Sequence, residues 1–98
     1  MANNSEGPIE VKVIVTGQVQ GVWYRAHTHE AAQKRPGISG YVKNRSDGTV
    51  EAVFQGSRPD VDVMIEWCWT GSPNSSVTGV NVDPRPGLGE YNGFEIRY

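Results

Sequence analysis

Two segments with helical spacing are separated by two β-type runs that meet at Ser46-Asp47-Gly48, and a strand-like run leads into each helical segment. Ser-Asp-Gly between two such runs is turn chemistry, so the pair reads as a hairpin. A central hairpin with a helix on each side restricts the topology severely, because β-α-β crossovers are right-handed. Residues 9–16 supply the first strand. Ile9, Val11, Val13 and Val15 alternate with Glu10, Lys12 and Ile14, with one exception to strict polarity. A helical pattern runs over 23–34 and stops before Pro36-Gly37. Residues 38–45 and 49–55 form the hairpin, with Val50, Ala52 and Phe54 on one face. The second helix has Ser57 as its N-cap, Pro59 in its first turn and Asp60 three residues after the serine. Val61, Met64, Ile65 and Cys68 then follow i, i+3, i+4, i+7 spacing until Gly71 and Pro73. Val77, Val80 and Val82 begin a fourth strand. A Pro/Gly-rich loop over 84–93 interrupts it, and Phe94, Ile96 and Tyr98 alternate to residue 98.

The order β-α-β-β-α-β predicts an α+β, ferredoxin-like sandwich: a four-stranded antiparallel sheet with two helices on one face. That architecture hosts many functions and selects none. At 98 residues the chain is expected to hold one domain over 9–98, behind a disordered polar tail over 1–8. Nine Lys and Arg against eleven Asp and Glu give a net charge of −2, which argues against a general nucleic-acid binder. No apolar run reaches the ~20 residues that span a bilayer, so no membrane role is expected. The polar start lacks the pattern of a signal peptide. Cys68 is the single cysteine, which excludes an internal disulfide and a cysteine zinc site. A reducing cytoplasm is the simplest compartment.

The chemistry points to the first strand-to-helix junction. Gly17-Gln18-Val19-Gln20-Gly21-Val22 joins strand to helix, and Arg25 follows near the helix start. Such a turn gathers backbone N–H groups into a small anion nest, to which the helix N-terminus adds partial positive charge. An arginine fork can grip two oxygens of a phosphate. The loop is no Walker motif, since Gly21 is followed by Val22 rather than by Lys and Ser or Thr. Loop shape alone leaves two readings open: a phosphate pocket, or a structural turn with a surface arginine.

Gly17-Gln18-Val19-Gln20-Gly21-Val22-Trp23-Tyr24-Arg25 resembles the G-x-V-Q-G-V-x-[FY]-R signature of acylphosphatases. The stretch from Gly40-Tyr41-Val42-Lys43-Asn44 through Asp47-Gly48-Thr49-Val50-Glu51 is similar to that family's G-[WY]-V-x-N-x-x-D-G-x-V-E. Gly93-Phe94-Glu95-Ile96-Arg97-Tyr98 is similar to its last strand. The resemblance implies a hydrolase of small acyl phosphates that uses no metal and no cofactor. It implies that Arg25 binds the phosphate, that the backbone amides of Gln20, Gly21, Val22, Trp23, Tyr24 and Arg25 complete the cradle, and that Asn44 holds the attacking water. Inorganic phosphate or sulfate would occupy the same site, and the chain would act as a monomer. The helix end Lys34-Arg35-Pro36-Gly37 departs from the family pattern.

Other residues read as structural. His27 and His29, two apart, point to different sides of a helix, which is poor ligand geometry. Cys68 lies on the apolar stripe and reads as a buried thiol, with Trp67 and Trp69 at the stripe's edges. Asp47 is expected to bond its own turn. Gln20 serves either as loop scaffolding or as a substrate contact. Two rival functions remain. An RNA-recognition module would carry aromatics on its third strand, where this chain has one aromatic and Glu51. An accessory domain would bind phosphate without turning over.

Overall fold

The computed structural model describes residues 7–98. Most of the tail expected over 1–8, residues 1–6, lies outside the described residues. The chain runs β1 (Ile9–Gln18), α1 (Tyr24–Gln33), β2 (Ser39–Asn44), β3 (Val50–Gly56), α2 (Arg58–Thr70), β4 (Ser76–Pro84) and β5 (Phe94–Arg97). The alternating valines of β1 place Val11, Val13 and Val15 in the core, beside Val50, Ala52 and Phe54 of β3. Val61, Met64 and Cys68 of α2 close over them, as their helical spacing predicts. α1 contributes Tyr24, Thr28 and Ala32, one residue per turn on a single stripe. Each fully buried valine in this layer is worth roughly 1.5–3 kcal/mol. Both helices thus cover one face of the sheet.

The sheet corrects the expected four antiparallel strands. It has five, in the order β4-β1-β3-β2-β5. β1 pairs antiparallel with β3 and β4, and β2 pairs antiparallel with β3. β5 is not a continuation of β4. It lies at the far edge and runs parallel to β2, with Gly40 opposite Phe94 and Val42 opposite Ile96. Phe94 and Ile96 do alternate, but along the β2 edge rather than beside β4.

The Pro/Gly-rich segment between β4 and β5 makes this crossing on the face opposite the helices. Glu10, one of the polar residues that alternate with the β1 valines, fixes it there. Its carboxylate accepts hydrogen bonds from the Gly89 amide (2.8 Å), the Tyr91 hydroxyl (2.9 Å) and the Gln55 side chain (3.1 Å). Glu10 is buried as a result. Burial alone would raise its pKa, but these donors outweigh burial and hold the carboxyl below its ordinary value.

The unusual end of α1 is also accommodated. The Arg35 amide bonds the Ala32 carbonyl, and the Arg35 guanidinium meets Asp60 of α2 at 3.0 Å. Ile38 then enters the core. Among the described residues no helix is long and apolar enough to cross a membrane.

Candidate active site

The junction between β1 and α1 is tied down at four points. β1 ends in a register shift at Thr16/Gly17 against β4. Gly17 takes φ 118°, and a Cβ there would lie 2.2 Å from the Ser76 carbonyl, so only glycine fits. Val19 is buried in the core beyond it. Gln20 turns the other way, and its amide Nε2 donates to the Arg45 and Thr49 carbonyls, both at 2.8 Å. The Val22 carbonyl accepts a 2.8 Å bond from the hydroxyl of buried Ser72. Between these anchors Gly21 stands open, with no atom near the position of a Cβ.

The Gln20 bonds reach the mouth of the β2–β3 hairpin, immediately after Asn44. That turn is internally braced. The Arg45 amide bonds the Thr49 carbonyl at 2.9 Å, and Asp47 accepts from the Thr49 amide and hydroxyl at 3.0 and 2.6 Å. Asp47 therefore bonds its own turn as expected. Of the two roles open to the Gln20 side chain, the geometry supplies scaffolding.

α1 begins without a cap. Trp23 occupies the N-cap position in left-handed conformation (φ 63°), makes no side-chain cap bond, and no acidic residue follows in the first turn. α2 is the contrast: Ser57 accepts from the Asp60 amide and an acid stands in the first turn. The first turn of α1 instead carries a cation, Arg25. A positive side chain at a helix N-terminus opposes the macrodipole, by about 0.3–1 kcal/mol. An anion bound there would reverse that sign and would engage the uncapped N–H groups of the first turn.

Arg25 is half-buried, and one of its guanidinium nitrogens donates to the Arg97 carbonyl of β5 at 3.1 Å. The guanidinium also lies 4.7 Å from the centre of the Tyr98 ring. With five N–H donors, an arginine held on one edge keeps others for a ligand. Tyr24 fixes the helix from below: its hydroxyl donates to the Cys68 carbonyl at 2.8 Å, and its ring meets Trp67 edge-on at 5.4 Å.

These elements form an open cavity of about 350 Å³ that Gly21, Trp23, Tyr24, Arg25 and Asn44 help to line. Residues from the two separate sequence signatures therefore share one cavity. Gln20 lies beside it as a tether, and Val22 is held by Ser72. Asn44 ends β2 and is half-buried, and among the described residues its side chain makes no hydrogen bond. Its amide is thus free to direct a solvent molecule or ligand. Sequence reasoning did not include Ile96 and Tyr98, which complete the wall, or Arg97 and Ser72, which brace it. The only local signal for the first three was the alternation of the last strand, and it says nothing about a site 72 residues away.

The remaining candidates stand apart. Cys68 is fully buried and desolvation pushes its thiol up to about 12, which rules out a ready nucleophile. His27 meets Glu30 at 3.6 Å, and His29 meets Gln33 at 3.1 Å. Among the described residues no group of three or more His, Cys, Asp or Glu could hold a metal ion.

The chain is similar to known proteins over most of its length. A model of the acylphosphatase family matches residues 11–96. An acylphosphatase of Haloquadratum walsbyi is 50% identical over 93 residues, covering 95% of this chain and 98% of its own. An acylphosphatase of Pelotomaculum thermopropionicum is 43% identical over 86 residues, covering 88% and 92%. The crystal structure of acylphosphatase from Bacillus subtilis superposes with a TM-score of 0.87 at 37% identity, over 92% of this chain and 99% of that one.

Proposed function

The chain belongs to the acylphosphatase family, and from that membership we propose how its residues 9–98 hydrolyse the carboxyl–phosphate bond of small acyl phosphates. The observation that carries the reading is the placing of Arg25, in an uncapped first helical turn, on the same cavity as Asn44. The dianionic phosphoryl group enters the cradle. The backbone amides of Gln20, Gly21, Val22, Trp23, Tyr24 and Arg25 donate to its oxygens, and the Arg25 guanidinium takes two of them as a fork.

The side-chain amide of Asn44 orients one water in line with the P–O bond to the acyl group. The water oxygen bonds to phosphorus, and the phosphorus–acyl oxygen bond breaks. The electron pair leaves with the carboxylate, and the proton of the water passes to a phosphoryl oxygen. The products are a carboxylate and dihydrogen phosphate, so charge and atoms balance. A carboxylate leaves readily, so the step needs no strong general acid. The residues supply positioning and electrostatic stabilisation, the two effects that dominate phosphoryl transfer. Arg25 and the amides neutralise the charge that a metal ion would otherwise offset. The working unit is a monomer, and inorganic phosphate or sulfate competes for the cradle.

The test is hydrolysis of benzoyl phosphate, followed by ultraviolet absorbance with EDTA present, for wild type, Arg25→Ala and Asn44→Ala. Losing a preorganised donor in such a site costs about 10²- to 10³-fold, and each variant is expected to lose at least that. Full turnover by Asn44→Ala would remove the water-positioning role. A folded wild type that binds phosphate but does not turn over would favour an accessory binding domain.

A further inference from the structure

The cavity is larger than its phosphate chemistry needs. About 350 Å³ falls within the range of sites that enclose whole small ligands, roughly 300–1,000 Å³. A phosphoryl group and one water use only part of it. The rest is walled by Val19, Ala26 and Ile96 and by two aromatic residues, Trp23 and Tyr98.

Trp23 is the anomaly. The residue is 75% exposed, although a tryptophan gains more from burial than almost any residue. It is also the one non-glycine residue with positive φ among those described. Left-handed backbone costs a bulky residue on the order of 1–2 kcal/mol. Both costs would vanish with Asn or Gly at this position, either of which adopts φ 63° with ease. The loop nevertheless presents an indole at the cavity wall, two residues from the phosphate arginine. Tyr98 is 96% exposed, and its ring lies 4.7 Å from the Arg25 guanidinium, so a second aromatic surface is held beside the same group. Exposed aromatic area converging on a polar anchor is how a site grips a ligand that is anionic at one end and flat and apolar at the other.

We propose that Trp23, with Tyr98 and Ile96, forms an acyl-group subsite, and that this enzyme favours acyl phosphates with aromatic or large apolar acyl groups over small aliphatic ones. The inference rests on the assignment of the phosphoryl group to Arg25 and its loop, which fixes the acyl group in the remaining space. Trp23 acts on binding of the leaving group through its ring, a role separate from that of its backbone amide.

The experiment compares kcat/KM for benzoyl phosphate and acetyl phosphate in wild type, Trp23→Asn and Trp23→Phe. Each variant is referred to wild type on the same substrate, which removes the different intrinsic reactivities of the two anhydrides. Trp23→Asn is expected to lower kcat/KM for benzoyl phosphate about tenfold further than for acetyl phosphate, mainly through KM. Trp23→Phe should restore most of that difference. Product inhibition of the wild type gives a second reading that needs no variant: benzoate should inhibit at concentrations about tenfold below acetate. An equal loss on both substrates, or equal inhibition by both carboxylates, overturns the subsite. A wild type that hydrolyses neither substrate sinks the phosphoryl assignment itself, and the subsite falls with it.

Discussion

Removing the Gln20 side chain isolates the device that joins the two halves of the site. Gln20 Nε2 uses both of its hydrogens, one on the Arg45 carbonyl and one on the Thr49 carbonyl, each at 2.8 Å. Both acceptors belong to the turn that follows Asn44. Gln20→Ala deletes two part-buried bonds and leaves each carbonyl with its one backbone donor, the Gly48 amide on Arg45 and the Arg45 amide on Thr49. At about 0.5–1.5 kcal/mol per bond, the loss is about 2 kcal/mol for the pair. For a domain near 100 residues, each kcal/mol lowers Tm by roughly 4–8 °C, so the expected drop is roughly 8–16 °C. That is a stability statement, and any loop tether would make it. The specific claim concerns activity measured where the variant is still folded. If the tether sets the spacing between the Arg25 cradle and Asn44, a shift of about 1 Å costs up to 10²-fold. The assay is a thermal melt followed by circular dichroism, paired with kcat/KM for benzoyl phosphate at 25 °C. A folded Gln20→Ala protein with wild-type kcat/KM would refute the reasoning. It would leave Gln20 as a stabilising bond with no part in the geometry of catalysis.

Three further outcomes follow from the packing. Tyr24→Phe removes a buried hydroxyl that donates to the Cys68 carbonyl at 2.8 Å, and denaturant titration should show a loss of about 1–3 kcal/mol. The Cys68 thiol, fully buried and pushed up to about 12, should resist Ellman's reagent at pH 8 in the native protein and react stoichiometrically once the protein is unfolded in urea. Glu10 has a folded pKa below its unfolded value near 4.5, so its stabilisation is present above that pH and is lost as pH falls through the folded value. The stability gap between wild type and Glu10→Gln should therefore narrow in acid below about 4.5, and a constant gap from pH 7 to pH 3 would contradict the assignment.

What could be read from the chain divides along physical lines. β1 and α2 were legible because their own residues carry the period: Val11, Val13 and Val15 in one case, Val61, Met64 and Cys68 in the other. The Ser57 cap and the Asp47 turn were legible because they bond within three residues. The destination of β5 was not. Its alternation looks the same at either edge of the sheet, and the choice depends on the free edge of β2 and on Glu10 receiving Gly89 and Tyr91 across the open face. Glu10 itself looked like an ordinary solvent-facing residue, since nothing near it in sequence reveals partners 79 and 81 residues away. The same distance effect hid half of the site. Arg25 and Asn44 stood out through their signatures, whereas the Arg97 carbonyl and the Tyr98 ring reach Arg25 only through the parallel pairing of β5 with β2.

In the proposed mechanism water attacks phosphorus, in line with the departing carboxylate. Hydrolysis of benzoyl phosphate in oxygen-18 water, with both products read by mass spectrometry, tests this directly. Attack at phosphorus predicts one labelled oxygen in the inorganic phosphate and none in benzoate, with the rate dependent on Arg25 and Asn44. Label in the benzoate would mean attack at the carbonyl carbon, and the cradle would then hold the leaving group rather than the reacting centre.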